Sequence, residues 1–220
     1  MSAAPPEVSP APGPLGADGF QALFGATDAQ IGDLERYRQL LVEGNEVMNL
    51  VGPASLPDFW RRHVLDSAQL IPVLPDAVSW ADLGAGAGLP GIVLACLLKG
   101  RPNARVYLIE SMAKRCRFLG QVVEALDLPA EVIHARAEVV DLKVEVAAAR
   151  ACAPLLKLLD FARPYLGRGA RGLFLKGQDV ASELTEATIY WKFQAELHPS
   201  QSDPRGRIVE ISGLKPRRRV

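Results

Sequence analysis

Apolar and polar positions change their period along this chain, and the changes mark its elements. Ile31, Leu34, Tyr37 and Leu41 recur at three- and four-residue spacing, which predicts a helix that Thr27 or Asp28 can cap. A second helix is expected from Pro57 to Ile71, capped near Ser55. Phe59, Trp60, Val64 and Leu65 give it an apolar surface, and Pro72 and Pro75 end it. After Asp76 short apolar runs alternate with helical stretches. The predicted strands are Val78–Leu83, Arg105–Glu110, Glu131–His134, Val146–Arg150 and Gly172–Lys176; the helical patterns between them are Gly91–Leu98, Ala113–Leu126 and Leu155–Leu166. That alternation implies βαβ units and a mostly parallel, doubly wound sheet. Thr188–Leu197 and Arg207–Ser212 also read as strands. Only His198–Gly206 joins them, so they should pair antiparallel at one edge. The expected fold is α/β, a seven-stranded, mostly parallel sheet with an antiparallel edge hairpin, preceded by a helical segment.

Composition changes this picture at the ends. Five prolines fall in the first fourteen positions among Ala and Gly, so residues 1–26 read as a disordered tail. Residues 27–75 form the expected helical segment, 76–213 the sheet domain and 214–220 a basic tail. With 220 residues, 49% of them hydrophobic and 23% charged, the chain can bury one sizeable core and is not wholly disordered. Cys96, Cys116 and Cys152 are far apart and form no C-x-x-C. A disulfide framework or zinc site is therefore not expected, and a reducing cytoplasm is. His63, His134 and His198 are scattered, so no metal is expected. The N-terminus has no secretory pattern. The most apolar window, Leu83–Leu98, is 16 residues long with four glycines and Pro90, too short and broken to span a membrane. With no exposed apolar repeat, a monomer is the expected state.

The 25 basic and 25 acidic side chains cancel, which excludes binding of nucleic acid by bulk charge alone. Their placement is uneven. Residues 1–58 hold two basic and eight acidic side chains; the remainder holds 23 and 17. A local basic face is therefore open to this protein.

The richest chemistry lies in Asp82-Leu83-Gly84-Ala85-Gly86-Ala87-Gly88-Leu89-Pro90-Gly91, which follows a strand and opens a helix. Glycines let the backbone turn sharply and approach a ligand, and ligands of open α/β sheets lie beyond the carboxyl ends of the strands. Gly86-x-Gly88-x-x-Gly91 matches the dinucleotide fingerprint. Asp82, two residues before the first glycine, would repel a pyrophosphate but attract a cofactor carrying an ammonium and a sulfonium, such as S-adenosylmethionine. Glu110, ending the second strand, can accept two ribose hydroxyls in either cofactor. Ala137 and Glu138, after the third strand, could read an adenine edge with a backbone N–H and a carboxylate.

Taken jointly, several stretches resemble the bacterial small-subunit ribosomal RNA guanine-N7 methyltransferases of the RsmG (GidB) type. These are Asp82–Ile92, Ile109-Glu110-Ser111 with Lys114-Arg115, Arg62-His63-Val64-Leu65-Asp66-Ser67, Arg150-Ala151 and Leu175-Lys176-Gly177-Gln178, over about residues 34 to 211. The resemblance implies a Rossmann-like, S-adenosylmethionine-dependent methyltransferase fold with an added N-terminal helical segment. It implies methyl transfer to N7 of a guanine in the 530-loop region of 16S rRNA, with 16S rRNA or the small ribosomal subunit as partner. By matching position the cofactor site includes Gly84, Leu89, Ala137, Glu138 and Arg150; Asp82, Gly86 and Glu110 join it on chemical grounds. The chain departs from the family's usual pattern at Gly44-Asn45 and at Asn49-Leu50-Val51-Gly52. Both departures bear on the N-terminal segment.

Guanine N7 offers a lone pair and carries no hydrogen, so its methylation needs no general base. The chain accordingly shows no triad and no paired-carboxylate signature. His63, Lys114, Arg115 and Lys176 are the candidate RNA contacts: His63 on the second helix, Lys114 and Arg115 opening the helix after Glu110, and Lys176 ending the fifth strand. Arg217–Arg219 read as a non-specific phosphate tether. Three alternatives remain open from the residues: an NAD-dependent oxidoreductase, a methyltransferase acting on a small molecule, and an RNA-binding module without turnover.

Overall fold

A computed structural model describes residues 15–150 and 153–217. Helix α1, Ala17–Phe24, and helix α2, Asp28–Val47, open the chain. A capping box starts α2: Thr27 Oγ1 accepts from the Gln30 N–H, and Gln30 Oε1 accepts from the Thr27 N–H. A 3-10 turn, Pro53–Asp58, then runs into a π-helical turn, Trp60–Leu65, and a short α-turn, α3, Asp66–Ala68. The sheet follows, with β1 Ser79–Leu83, α4 Gly91–Leu98, β2 Arg105–Glu110, α5 Ala113–Ala125, β3 Ala130–His134 and β4 Val146–Arg150. It is completed by α6 Leu155–Leu166, β5 Arg171–Lys176, α7 Val180–Tyr190, β6 Trp191–Pro199 and β7 Arg207–Pro216.

The seven strands form one sheet in the order β3-β2-β1-β4-β5-β7-β6. The first five pair in parallel; β7 runs antiparallel to both β5 and β6. The chain moves outward from β1 through β2 to β3, then returns to place β4 on the other side of β1. That reversal opens a crevice beyond the carboxyl ends of β1 and β4.

Two apolar layers sandwich the sheet. Trp80 of β1 packs with Tyr37, Leu41 and Ile92 on one face, while Ala81 and Leu83 pack with Leu159, Tyr165 and Phe174 on the other. This is the period-2 alternation of a central strand. All eight residues of α4 are buried. A helix apolar on every side needs cover on every side. The N-terminal segment supplies it: Gln30 Nε2 donates to the Leu97 carbonyl at 2.9 Å, and Lys99 pairs with Asp33 at 3.0 Å.

The structure departs from the sequence reading in four places. The tail expected to be disordered through residue 26 contains α1, because Phe20 is fully buried, stacked 4.9 Å from Phe24 and 5.5 Å from Trp60. Residues 1–14 of that tail lie outside the described residues. The single helix expected over Pro57–Ile71 is instead a succession of 3-10, π and α turns. Pro57 removes one ladder donor, and the π turn brings Trp60, His63, Val64 and Leu65 inward together. Residues 188–190, expected in a strand, end α7, whose Val180 and Ala187 bury against the α6 layer; β6 starts only at Trp191. Finally, β7 runs past Ser212, so Lys215 and Pro216 of the expected basic tail belong to a strand in which Leu214 is buried. Arg218, Arg219, Ala151 and Cys152 lie outside the described residues.

The sheet is fastened at its amino edge by Glu145. Its carboxylate accepts the N–H groups of Val78 and Ser79, both at 2.8 Å, and the Ser79 hydroxyl at 3.0 Å. Those hydrogen bonds hold the carboxyl below its ordinary range. Glu145→Ala is expected to lower stability by about 1 kcal/mol at pH 7 in chemical denaturation, allowing for solvent exposure. A carboxyl with a lowered pKa stabilises only while ionised. The difference between variant and parent should therefore shrink as pH falls through its folded-state pKa.

Candidate functional site

The crevice is built around a buried carboxylate. Asp82, next to last in β1, is 1% exposed. Its Oδ2 accepts from the Gly91 N–H at 2.8 Å, at the start of α4. Its Oδ1 is buried and has no hydrogen-bond partner among the described residues. Burial pushes the carboxyl up to about 7, against the lowering effect of the Gly91 N–H and of Arg150, with Glu110 adding to the rise. An orphaned buried acceptor of this kind invites a donor from a ligand.

The glycines let the loop pass over that carboxylate. Gly84, Gly86 and Gly88 have φ of 74°, 57° and 96°, a left-handed conformation that costs glycine little. At Gly91 a Cβ would sit 2.3 Å from Leu108 Cδ2 and 2.7 Å from Asp82 Oδ2. The Gly84 and Ala85 N–H groups both donate to the Ile109 carbonyl at 2.9 Å, which ties the loop to β2. Glu110 sets its height. Its carboxylate, 4% exposed, accepts from the Gly86 N–H at 2.9 Å and the Met112 N–H at 2.8 Å, with Arg115 at 3.9 Å. Leu89 is buried beneath the loop. Ala137 opens a 3-10 turn beyond β3, and its carbonyl accepts from the buried Tyr165 hydroxyl at 2.8 Å; Glu138 is half-buried beside it.

Arg150 ends β4 on the other side of the crevice. It donates to the Arg62 carbonyl at 2.7 Å, to Asp66 Oδ2 at 3.1 Å and to His63 Nδ1 at 3.1 Å. His63 Nε2 meets the Ser55 hydroxyl at 2.9 Å, and that hydroxyl donates to the Gly52 carbonyl at 2.6 Å. Arg150 can only donate, so Nδ1 must accept and Nε2 must carry the proton. Burial and the Arg150 and Arg62 charges hold His63 down to about 4, which keeps this neutral tautomer.

The site candidates thus fall into groups. Asp82, Gly84, Gly86, Leu89 and Glu110 meet at the loop, Ala137 and Glu138 lie beyond β3, and Arg150 with His63 forms the opposite wall. Lys114 is exposed at the start of α5. Lys176 turns inward: it pairs with Glu183 at 2.7 Å and donates to the Ala153 carbonyl at 3.1 Å, with its side chain 11% exposed. The cationic partner of Asp66 is Arg150, 84 residues away in the chain. His198, scattered in the sequence, lies with Glu196 and Glu210 so that their ligand atoms fall within 4.8 Å; Glu210 already pairs with His198 and Arg171.

Sequence reasoning treated Tyr37 only as core. Its hydroxyl, fully buried, donates to the Ala87 carbonyl in the middle of the loop at 2.8 Å. Burial raises the phenol far above its ordinary value, so it stays protonated as a donor. The only signal in sequence was a tyrosine on an apolar helical stripe, where a buried hydroxyl needs a partner.

Comparison with known proteins adds the following. The family described as rRNA small subunit methyltransferase G matches residues 30–203. The ribosomal RNA small subunit methyltransferase G of Caulobacter vibrioides is 65% identical over 200 residues, covering 91% of this chain and 93% of that protein. Its counterpart from Caulobacter sp. strain K31 is 61% identical and covers 94% of each. Among solved structures, a SAM-dependent methyltransferase from Aquifex aeolicus superposes with a TM-score of 0.53 at 14% identity, covering 76% of this chain and 97% of that one. A mutant of MtNAS in complex with S-adenosylmethionine gives 0.54 at 14% identity, covering 90% and 84%. The fold is therefore that of Rossmann-like methyltransferases, as the family resemblance implied.

Gly91→Ala tests how tightly the loop is built. The added methyl meets a packed leucine and the Asp82 carboxylate, so a loss of about 1–3 kcal/mol is expected in thermal or denaturant unfolding. A neutral result would mean that α4 and β1 can separate without cost.

Proposed function

This chain belongs to the rRNA small subunit methyltransferase G family and is an rRNA methyltransferase; we propose that it takes the methyl group from S-adenosylmethionine and places it on N7 of a guanine in the 530-loop region of 16S rRNA. The observation that carries the cofactor assignment is the unpartnered Asp82 Oδ1, buried under a loop of left-handed glycines. An rRNA methyltransferase has no use for a hydride carrier, so the GxGxxG match does not mark an NAD site, and the acceptor is not a small molecule.

The residues fit the cofactor. Bound S-adenosylmethionine supplies an electrophilic methyl on a sulfonium. Asp82 Oδ1 would accept from its ammonium, with the negative charge balancing two cationic centres. Glu110 keeps lone pairs beyond those used by Gly86 and Met112, and would take the ribose hydroxyls. Ala137 and Glu138 would flank the adenine, and Gly84, Gly86 and Leu89 would line the cradle. Arg150 is the cation nearest the end of β4, placed for a carboxylate. Guanine N7 loses no proton on methylation, so these residues bind, orient and exclude water, and none has to move a proton. Lys114 and Arg115 lie at the carboxyl edge where RNA would approach; His63, expected there too, is buried with both ring nitrogens bonded and instead positions Arg150. Lys176, held by Glu183, contributes by fixing α6 against α7. The setting this reading implies is a cytoplasmic monomer working on the small ribosomal subunit. Among the described residues no helix is long and apolar enough to cross a membrane.

Mass analysis of 16S rRNA from cells with and without this protein tests the acceptor. A single N7-methylguanosine is expected to disappear from the 530-loop fragment; an unchanged level would overturn the assignment. The cofactor site is tested by pH. In the free protein Asp82 takes up its proton below about 7 instead of its ordinary 3.8. Its negative charge, and with it the attraction for an ammonium, is lost as pH falls through that value. S-adenosylhomocysteine binding, measured by calorimetry, should strengthen by about tenfold from pH 5.5 to 7.5. Asp82→Asn should flatten that profile and weaken binding at the upper end.

A further inference from the structure

Beyond Arg150 the surface opens into a cleft of about 1060 Å³. One wall is the N-terminal segment from Leu50 to Asp66; the other is the β6–β7 turn from Gln201 to Arg205. The loop glycines, Glu110, Lys114 and Lys176 do not line it. We infer that this cleft, resting on the rRNA methyltransferase reading above, is where a strand of the acceptor RNA lies, with its phosphates on Arg62 and Arg205.

Three observations converge on that occupant. The volume stands at the upper limit of the roughly 300–1000 Å³ pockets that enclose one small ligand, and the cleft is open to solvent rather than enclosed. Its lining is rich in guanidinium groups, Arg61, Arg62, Arg150 and Arg205, whose planar forks match phosphate oxygens. Against these four stand three acids, Asp58, Asp66 and Asp203, of which Asp66 pairs with Arg150 at 3.1 Å and Asp203 with Arg205 at 3.2 Å; the lining keeps a net charge of +1, and a phosphate on Arg205 would take the place of Asp203. Arg62 and Arg205 are exposed. Arg150 lines the cleft and ends β4, the strand that pairs with β1 at Asp82 and Ala148, so the cleft floor borders the cofactor crevice. A base entering here would arrive at the end of β4.

The walls are joined through one carboxylate. Asp66 takes Arg150 on Oδ2, and the Ser202 hydroxyl at 2.5 Å and Gln69 Nε2 at 3.1 Å on Oδ1. Gln69, itself buried, accepts from the Gln201 N–H at 2.7 Å. The turn is thereby held at a fixed distance from the N-terminal wall, which makes the cleft a built groove.

The test pairs two double variants of equal charge loss, Arg62→Ala with Arg205→Ala in the cleft and Arg101→Ala with Arg105→Ala at the opposite, amino edge of the sheet. Transfer of labelled methyl to small ribosomal subunits is followed as a function of salt, and S-adenosylhomocysteine binding is measured on the same proteins. The cleft pair is expected to raise KM about tenfold or more with little change in kcat. The slope of log affinity against log salt should shallow by about 0.7 for each phosphate no longer neutralised. The amino-edge pair should behave as the parent, and cofactor binding should be unchanged in both. Equal effects of the two pairs, or no effect of the cleft pair, would overturn the assignment. A raised KM with an unchanged salt slope would also overturn it, pointing to a ribosomal protein as the occupant. The label reports transfer to any rRNA nucleotide, so these outcomes stand apart from whether the product is N7-methylguanosine.

Discussion

A carboxylate that water cannot reach organises this molecule. Removing Asp82 from solvent is unfavourable unless something answers its charge. The protein answers half of it, with one backbone N–H from Gly91 and the distant field of Arg150, and leaves one oxygen without a donor among the described residues. The rest follows from that choice. The N–H must come close, so residue 91 has no Cβ. The loop between residues 82 and 91 must double back over the strand end, so three of its residues have positive φ. The helix that supplies the N–H is apolar on all sides, so a further layer of helices has to cover it. The N-terminal segment is thus required by the way the sheet holds that carboxylate.

That segment also reaches the site itself. Tyr37 fixes the middle of the loop from a helix fifty residues upstream, and Arg150 gathers the Arg62 carbonyl and His63 from the π-helical turn and Asp66 from the start of α3. The two displaced titrations at this edge have the same origin in burial and opposite signs. Burial raises the carboxyl of Asp82 and lowers the imidazole of His63, and the Arg150 charge opposes the first shift and adds to the second. At neutral pH the wall beside Arg150 carries one fixed positive charge on the arginine and none on the histidine.

The strands, their order of direction and the cofactor-type loop were legible in the sequence because each depends on local pattern: a period of two, a period near four, or glycines at fixed spacing. The failures share another cause. Thr188, Ile189 and Tyr190 favour strands locally, and only the packing of Val180 and Ala187 keeps them helical, with the Thr185 and Thr188 hydroxyls bonded back to the Ala181 and Thr185 carbonyls. Phe20 made a helix of residues that composition alone assigned to a tail. For the site, the loop and Glu110 could be read directly. The partners of Arg150, 84 to 88 residues earlier in the chain, could not, nor could the inward turn of Lys176. Pairings across that separation leave no periodic trace.

The bond between Asp66 and Ser202 spans 136 residues. A chain emerging from synthesis holds β1 to β4, and with them the glycine loop and Glu110, well before the β6–β7 turn exists. Vectorial growth therefore separates two competences in time: the first four strands come early, and the second wall of the cleft comes almost last. The cleft gains both of its walls only as translation of the chain ends.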